Sequence, residues 1–285
     1  EAVAPMTISL VVCTRNRAAW LPQTLEALSA LRMDRPWELV FVNNGSTDDT
    51  GRILSGFAAP GHCSVTIVDE PVAGLGRARN AGWRAASGDI LVFTDDDCYP
   101  DPEFLSAVES CFAGRERLGV VGGRVLLYDP SDAPMTIQTR ADPVEITPRS
   151  FIPAGLIHGA NFSFRRAALE AVGGFDERFG AGTKFPCEDV DVIARICAEG
   201  WEGRYDPAPV VYHHHRRKAA DVPGLMRGYD LGRGAYYAKC ILDPRLRYVY
   251  LKHWAYRLRR QSLRRSRREL SAAAQFLWQN AFGKR

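Results

Sequence analysis

Asp89-Ile90-Leu91-Val92-Phe93-Thr94-Asp95-Asp96-Asp97 sets three carboxylates at the end of a short apolar run. Gly88 bounds the run on one side and the acids on the other, so Ile90–Phe93 reads as a buried strand. Neighbouring carboxylates repel one another and are costly to bury unpaired, so a positive group belongs beside them. Carboxylate oxygens suit Mg²⁺ or Mn²⁺, above all an ion that also holds phosphate oxygens. The plainer reading is an exposed acidic turn, since Pro100 and Pro102 follow.

Around this run the first half of the chain alternates strand and helix. Ile8–Cys13, Leu39–Val42, Val65–Val68 and Val120–Leu127 read as further strands. Trp20–Leu31, Asp48–Phe57, Gly76–Ala86 and Pro102–Phe112 read as the helices between them. Such alternation predicts an α/β fold with a mostly parallel sheet covered on both faces. Ligands of these sheets bind beyond the C-terminal strand ends. Cys13-Thr14-Arg15-Asn16-Arg17, Asn43-Asn44-Gly45-Ser46 and Asp95–Asp97 all fall at such ends. Further on, residues 128–158 hold five prolines and read as a long loop over the site. His158–Phe164 is a candidate strand, Arg166–Val172 and Glu188–Glu199 are helices, and Val210–Tyr212 is a last strand leading into His213-His214-His215.

Composition narrows the class. Apolar residues at 46% and charged residues at 25% are ordinary for a globular protein of 285 residues, long enough for a full core. The longest apolar runs, such as Ile8–Cys13, are far too short to span a bilayer. Seven scattered cysteines without a C-x-x-C pair argue against a zinc site or disulfide framework and for a reducing compartment. No signal peptide is visible, so the expected location is cytoplasmic, with peripheral contact at the inner face of the membrane as a further expectation. The net charge of +4 hides an asymmetry: residues 216–285 carry 18 Lys/Arg against 4 Asp/Glu, so residues 1–215 are acidic. This predicts a body (1–215) and a basic helical extension (216–285) with separate jobs.

Six stretches in this order resemble family 2 glycosyltransferases of the GT-A fold. They are Ser9–Arg17, Val42–Thr50, Gly74–Gly82, Thr94–Asp97, Gly173–Glu177 and Glu188–Asp191. Together they span roughly residues 6–215. The resemblance implies a Rossmann-like mixed sheet flanked by helices. It implies transfer of a sugar from a nucleotide-diphosphate donor to an acceptor hydroxyl, with inversion. A polysaccharide of the cell envelope or a lipid-linked glycan is the expected acceptor.

The resemblance also assigns roles. Asp97 and Asp95 become metal ligands, and residues two apart on an extended segment face one side. Asp96, facing the other way, would touch the ribose or serve the structure. Asp189 becomes the general base, with Glu188 beside it as the lesser candidate. Acids in a helix's first turn are equally well explained by the helix dipole. Thr14, Arg15, Asn43, Arg77, Arg79 and Asn80 would form the nucleotide pocket, the arginines pairing with phosphate oxygens. Arg77 and Arg79 read equally as a solvated helix face. Asn43 departs from the Asp more usual in the family, and its amide can accept or donate. Asn161 would touch a sugar hydroxyl or simply belong to a strand. His213 would be a third metal ligand, a diphosphate contact or basic surface.

Arg245–Arg268 holds ten Lys/Arg and no acid, with Tyr248, Leu251, Trp254, Ala255 and Leu258 at helical spacing. A basic amphipathic helix suits an anionic membrane surface. Packing against the acidic body and, less readily, nucleic-acid binding are the alternatives. Tyr229–Lys239 reads as a preceding helix, with Gly232 and Gly234 allowing close approach. Two other functions compete with glycosyl transfer. A nucleotidyltransferase shares a related sheet, but its Gly-rich phosphate loop is missing after the first strand. A non-catalytic module recruiting partners through the tail would not need Asp95, Asp97 and Asp189.

Overall fold

In a computed structural model describing residues 6–282, the apolar runs of the N-terminal half become four parallel strands. These are β1 (Ile8–Thr14), β2 (Trp37–Asn43), β3 (Cys63–Asp69) and β4 (Ile90–Asp95), in the order β3-β2-β1-β4. Helices α1 (Leu21–Ser29), α2 (Thr50–Ser55) and α3 (Leu75–Ala85) make the crossovers. Beyond β4 the sheet continues with β8 (Asn161–Arg165), antiparallel to β4 and to β6 (Leu118–Leu127). The long β9 (Glu202–His213) runs parallel to β6. It also carries the short strands β5 (Cys98–Pro100) and β7 (Val144–Ile146), both antiparallel. The result is a mixed, nine-stranded sheet.

The alternation of side chains in β1, β2 and β4 divides the core. Ile8, Leu10 and Val12 pack with α1 and with α4 (Phe104–Phe112) through Leu21, Leu25, Leu28, Leu105 and Val108. Val11, Val40, Val42, Leu91 and Phe93 face the other side, towards α3, α5 (Arg166–Ala171) and α6 (Glu188–Ala198). On that side Phe93, Phe162, Phe164 and Phe175 pack edge to face, a geometry worth about 1 kcal/mol per pair beyond the area buried.

The same cluster runs on into the basic extension. That extension is three helices, α7 (Val222–Leu242), α8 (Arg247–Arg260) and α9 (Leu263–Phe282). The single basic helix expected over 245–268 is broken at Gln261 and Ser262. Tyr236, Tyr237, Tyr250 and Phe276 are fully buried in it, and the Tyr236 and Tyr250 hydroxyls lie 2.5 Å apart. Lys239 of α7 reaches Asp176 and Asp191 of the body at 2.7 Å. Gly232 and Gly234 carry the close approach: a Cβ at either would collide with the Pro186 or the Glu269 carbonyl.

Candidate active site

Parallel pairing brings the ends of β1, β2 and β4 to one edge, with Thr14 level with Asn43 and Cys13 level with Asp95. A cleft of about 790 Å³ opens there. Thr14, Arg15, Arg79, Asp95, Asp96 and Asp97 line one part of it, and Glu188, Asp189 and His213 another. Pro134–Thr136, Ala154, Gly155 and His158–Ala160, from the proline-rich loop and the residues leading into β8, line it too.

Each acid of the triplet has its own partner. Asp96 is buried against Arg17 at 3.1 Å, and burial pushes its carboxyl up to about 7 against the pull of that arginine. Asp97 meets Arg17 at 3.3 Å and His213 Nε2 at 3.3 Å. Burial works to raise Asp97, but the hydrogen bond and charge of His213 together with Arg17 and Arg216 outweigh it and hold the carboxyl low. His213 is raised in turn, because Asp97 outweighs the burial that opposes its charge. Strand pairing sets up this contact: Cys98 lies opposite His213 where β5 joins β9.

Asp95 holds Arg79, which is 3% exposed and links three pieces of the site. Arg79 Nη2 donates to Asp95 at 3.1 Å and to the Gly159 carbonyl at 3.1 Å, and Nη1 donates to Glu188 at 2.6 Å. The guanidinium lies over the Phe162 and Phe175 rings. Burial pushes Glu188 up to about 7 in spite of Arg79. The Gly159 amide donates to Asp189 Oδ2 at 3.2 Å. A Cβ at residue 159 would meet the Arg79 guanidinium at 2.8 Å and displace it from its hydrogen bonds. Asp189 Oδ1 accepts from the Val190 amide at 2.8 Å, so two backbone donors orient the carboxylate at the start of α6.

A divalent cation fits this edge. Ligand atoms of Asp97, Cys98 and His213 lie within 4.8 Å of one another. Burial raises the Cys98 thiol well above its ordinary value, which leaves an oxygen and a nitrogen donor, with Asp95 nearby in the cleft wall. That set suits Mn²⁺ or Mg²⁺ rather than a thiolate-seeking metal. A second group, Asp129, Asp132 and His214, is already engaged, with Lys218 Nζ 2.6 Å from Asp132.

The family model for glycosyl transferase family 2 matches residues 9–173, more than half of the chain. The chain belongs to that family. Glu188, Asp189 and His213 lie beyond the matched span, and the fold brings them to the family's cleft. Among family members, the pre-mycofactocin glycosyltransferase of Mycobacterium tuberculosis is 27% identical over 225 residues, 75% of this chain and 44% of that protein. An N-acetylglucosaminyl-diphospho-decaprenol L-rhamnosyltransferase of the same species is 26% identical over 253 residues, 76% of this chain and 78% of that one. The chain spans about half the length of the first curated relatives it matches. A mannosyltransferase of Pyrobaculum calidifontis, solved with GDP-Man and Mn²⁺, superposes with a TM-score of 0.64 at 23% identity, covering 100% of this chain and 79% of that one. At that identity the likeness is one of fold.

Within the family 2 fold, several residues expected in the nucleotide pocket point elsewhere. Arg77 pairs with Glu177 at 2.5 Å on the helix's outer side. Asn80 clamps the Phe175 turn, its amide giving to the Phe175 carbonyl and taking from the Phe175 amide at 2.8 Å each. Asn161 donates to the Arg124 and Pro209 carbonyls, tying β8 to β6 and β9. Asn43 donates to Asp69 at 2.9 Å, and its own carbonyl oxygen is buried without a partner. Sequence reasoning passed over Arg17, whose signal was its place in the first polar cluster. It also passed over His158, Arg217, Met226 and Tyr229, all of which line the cleft. Burial lowers His158 against the pull of Asp189. Met226 and Tyr229 belong to α7, so the basic extension supplies part of the cleft wall.

Proposed function

We propose that this protein transfers a sugar from a nucleoside-diphosphate donor to an acceptor hydroxyl, with inversion and dependence on Mg²⁺ or Mn²⁺. One observation carries the reading: a single cleft is lined both by Asp95–Asp97 with His213 and by Asp189. Asp97 and His213, with Asp95, would hold the cation, whose chemistry is to neutralise charge on the departing diphosphate. Arg15 and Arg217 line the cleft and form no ion pair among the described residues, so they are the cations placed for phosphate oxygens. Asp189, held by two amides, takes the acceptor hydroxyl's proton as that oxygen attacks the anomeric carbon and the bond to the diphosphate breaks. A carboxylate is too weak a base to ionise a sugar hydroxyl beforehand, so the proton moves late, within the transition state. Glu188, protonated through part of the neutral range and engaged by Arg79, supports the wall rather than the proton transfer.

Asn43 lies outside the cleft lining, its NH₂ donating to Asp69 and its carbonyl oxygen buried, so it is assigned no part in choosing the base. For the acceptor, a polysaccharide or lipid-linked glycan is the class favoured, and one relative is named for a decaprenol-linked substrate.

A thermal-shift panel of UDP, GDP, dTDP and CDP with and without Mn²⁺ tests the donor site. A Mn²⁺-dependent rise with one of the four is expected, and it names the base. Asp189→Asn is expected to keep that rise and to lose turnover by about 10²–10⁴-fold. Transfer at the wild-type rate in this variant would remove Asp189 from the mechanism.

A further inference from the structure

Helix α9 has two apolar faces, and only one is used. Ala272, Ala273 and Phe276 are buried against the body side together with Ser266 and Glu269. Leu263, Leu270, Ala274, Leu277 and Ala281 recur at spacings of three, four and seven, which place them on a second face of the helix. That face is open: Leu263 is 79% exposed, and Trp278 and Phe282 beside it are 65% and 69% exposed with their rings 4.5 Å apart. Arg267 lies on the same stripe and Arg264 on its flank, both exposed and neither in an ion pair among the described residues. On α8, Tyr248, Leu251 and Tyr256 are exposed among Lys252, Arg259 and Arg260. Between residues 244 and 282 the one acid is Glu269, and it is fully buried.

We infer that this outer face of α9, flanked by α8, docks on an anionic lipid surface. Large apolar side chains interleaved with unpaired cations and without an exposed acid match a bilayer interface of negative charge. Tryptophan and phenylalanine at one end of the stripe suit the headgroup boundary. A second copy of the chain fits poorly. A two-fold interface would press the same cationic stripe against itself with no acid to meet Arg264 or Arg267. The face differs from the one the sequence suggested, because Trp254 turns inward and donates to Glu269 at 3.0 Å. The inference does not depend on the donor chemistry, since lipid binding is read without nucleotide sugar.

The test is co-sedimentation of the 285-residue chain with vesicles of phosphatidylcholine alone and of phosphatidylcholine mixed one-to-one with phosphatidylglycerol. Binding to the mixed vesicles that weakens with salt is expected. Each basic residue at such a surface strengthens binding by about fivefold, so R264E/R267E is expected to weaken it by about 25-fold or more. The variant L270S/L277S/W278S is expected to release the protein while keeping the wild-type melting profile, because all three side chains are exposed. Equal binding to both vesicle types, or wild-type binding by either variant, overturns the inference. So does a wild-type chain that ignores vesicles and forms a dimer dispersed by L270S/L277S/W278S, which would give the face to a second copy.

Discussion

Two buried arginines, Arg79 in the body and Arg233 in the extension, each bridge two carboxylates, and they end in opposite states. Arg233 donates to Glu269 at 2.6 Å and also pairs with Asp230. Glu269 takes two further hydrogen bonds, from Trp254 and Gln261, and has no exposed surface. Arg265 and Arg268 complete the partners of Asp230. Both carboxylates of that cluster are fully paired, although Gln261 Oε1 is buried without a partner and Arg233 itself touches the cleft wall. Arg79 is as deeply buried, yet its partner Asp95 keeps a side chain 32% exposed, towards the cleft. Glu188, its other partner, is pushed up to about 7. A saturated network fixes the packing of helices, whereas one left open towards a cleft keeps capacity for a ligand.

The largest expected effect would break this contrast if it failed. Glu269→Gln removes the charge of one partner of a buried ion pair, a loss of about 3–5 kcal/mol, and Arg79→Lys loses the guanidinium fork, so both should lower stability in urea melts. Only Arg79→Lys should also lose the Mn²⁺-dependent nucleotide shift and turnover per folded molecule, since a single ammonium cannot hold Asp95, Glu188 and the Gly159 carbonyl together. If Glu269→Gln abolishes the shift as well, the two clusters are not distinct. Next in size, His213→Ala should raise the Mn²⁺ concentration needed for half of that shift by about 10–100-fold, as loss of a metal-site residue does.

The smallest effects lie in the pH dependence of stability, where two carboxyls of the body, Asp176 and Glu188, carry opposite signs. Burial works to raise Asp176, but Arg178 and Lys239 outweigh it and hold the carboxyl well below its ordinary value. Its contribution is therefore present above about pH 4 and is lost as the pH falls. Glu188 is raised from 4.5 to about 7, so its contribution is full below its unfolded value and disappears as the pH rises through 7. Asp176→Asn should flatten the acid limb of a stability profile, and Glu188→Gln the limb near neutrality. Profiles unchanged in both variants would remove these carboxyls from the account.

The same contrast explains what the sequence made legible. β1, β2 and β4 are short apolar runs closed by polar residues, and a run of that kind fixes both the strand and the edge where its end falls. The rim of the site followed directly. β5 was missed because Cys98-Tyr99-Pro100 is three residues ending in proline and reads as a turn. The first half of β9 was missed because Glu202, Arg204 and Asp206 mask the apolar alternation. α7 begins seven residues before the expected Tyr229, at Val222-Pro223, where proline starts a helix rather than breaking one. The roles of Arg77, Asn80 and Asn161 depended on partners 100, 95 and 37–48 residues away or packed across the sheet, and no local pattern encodes such partners.

Helix α7 is a party wall. One side gives Met226 and Tyr229 to the cleft, and the other meets α9 at Gly234. Exchanging C-terminal regions between relatives would here cut through the room itself. A chimera joined at residue 215 would inherit a foreign wall whose glycines need not match the Pro186 and Glu269 carbonyls they must clear. A graft that keeps the cleft intact has to begin after Leu242, where α7 ends.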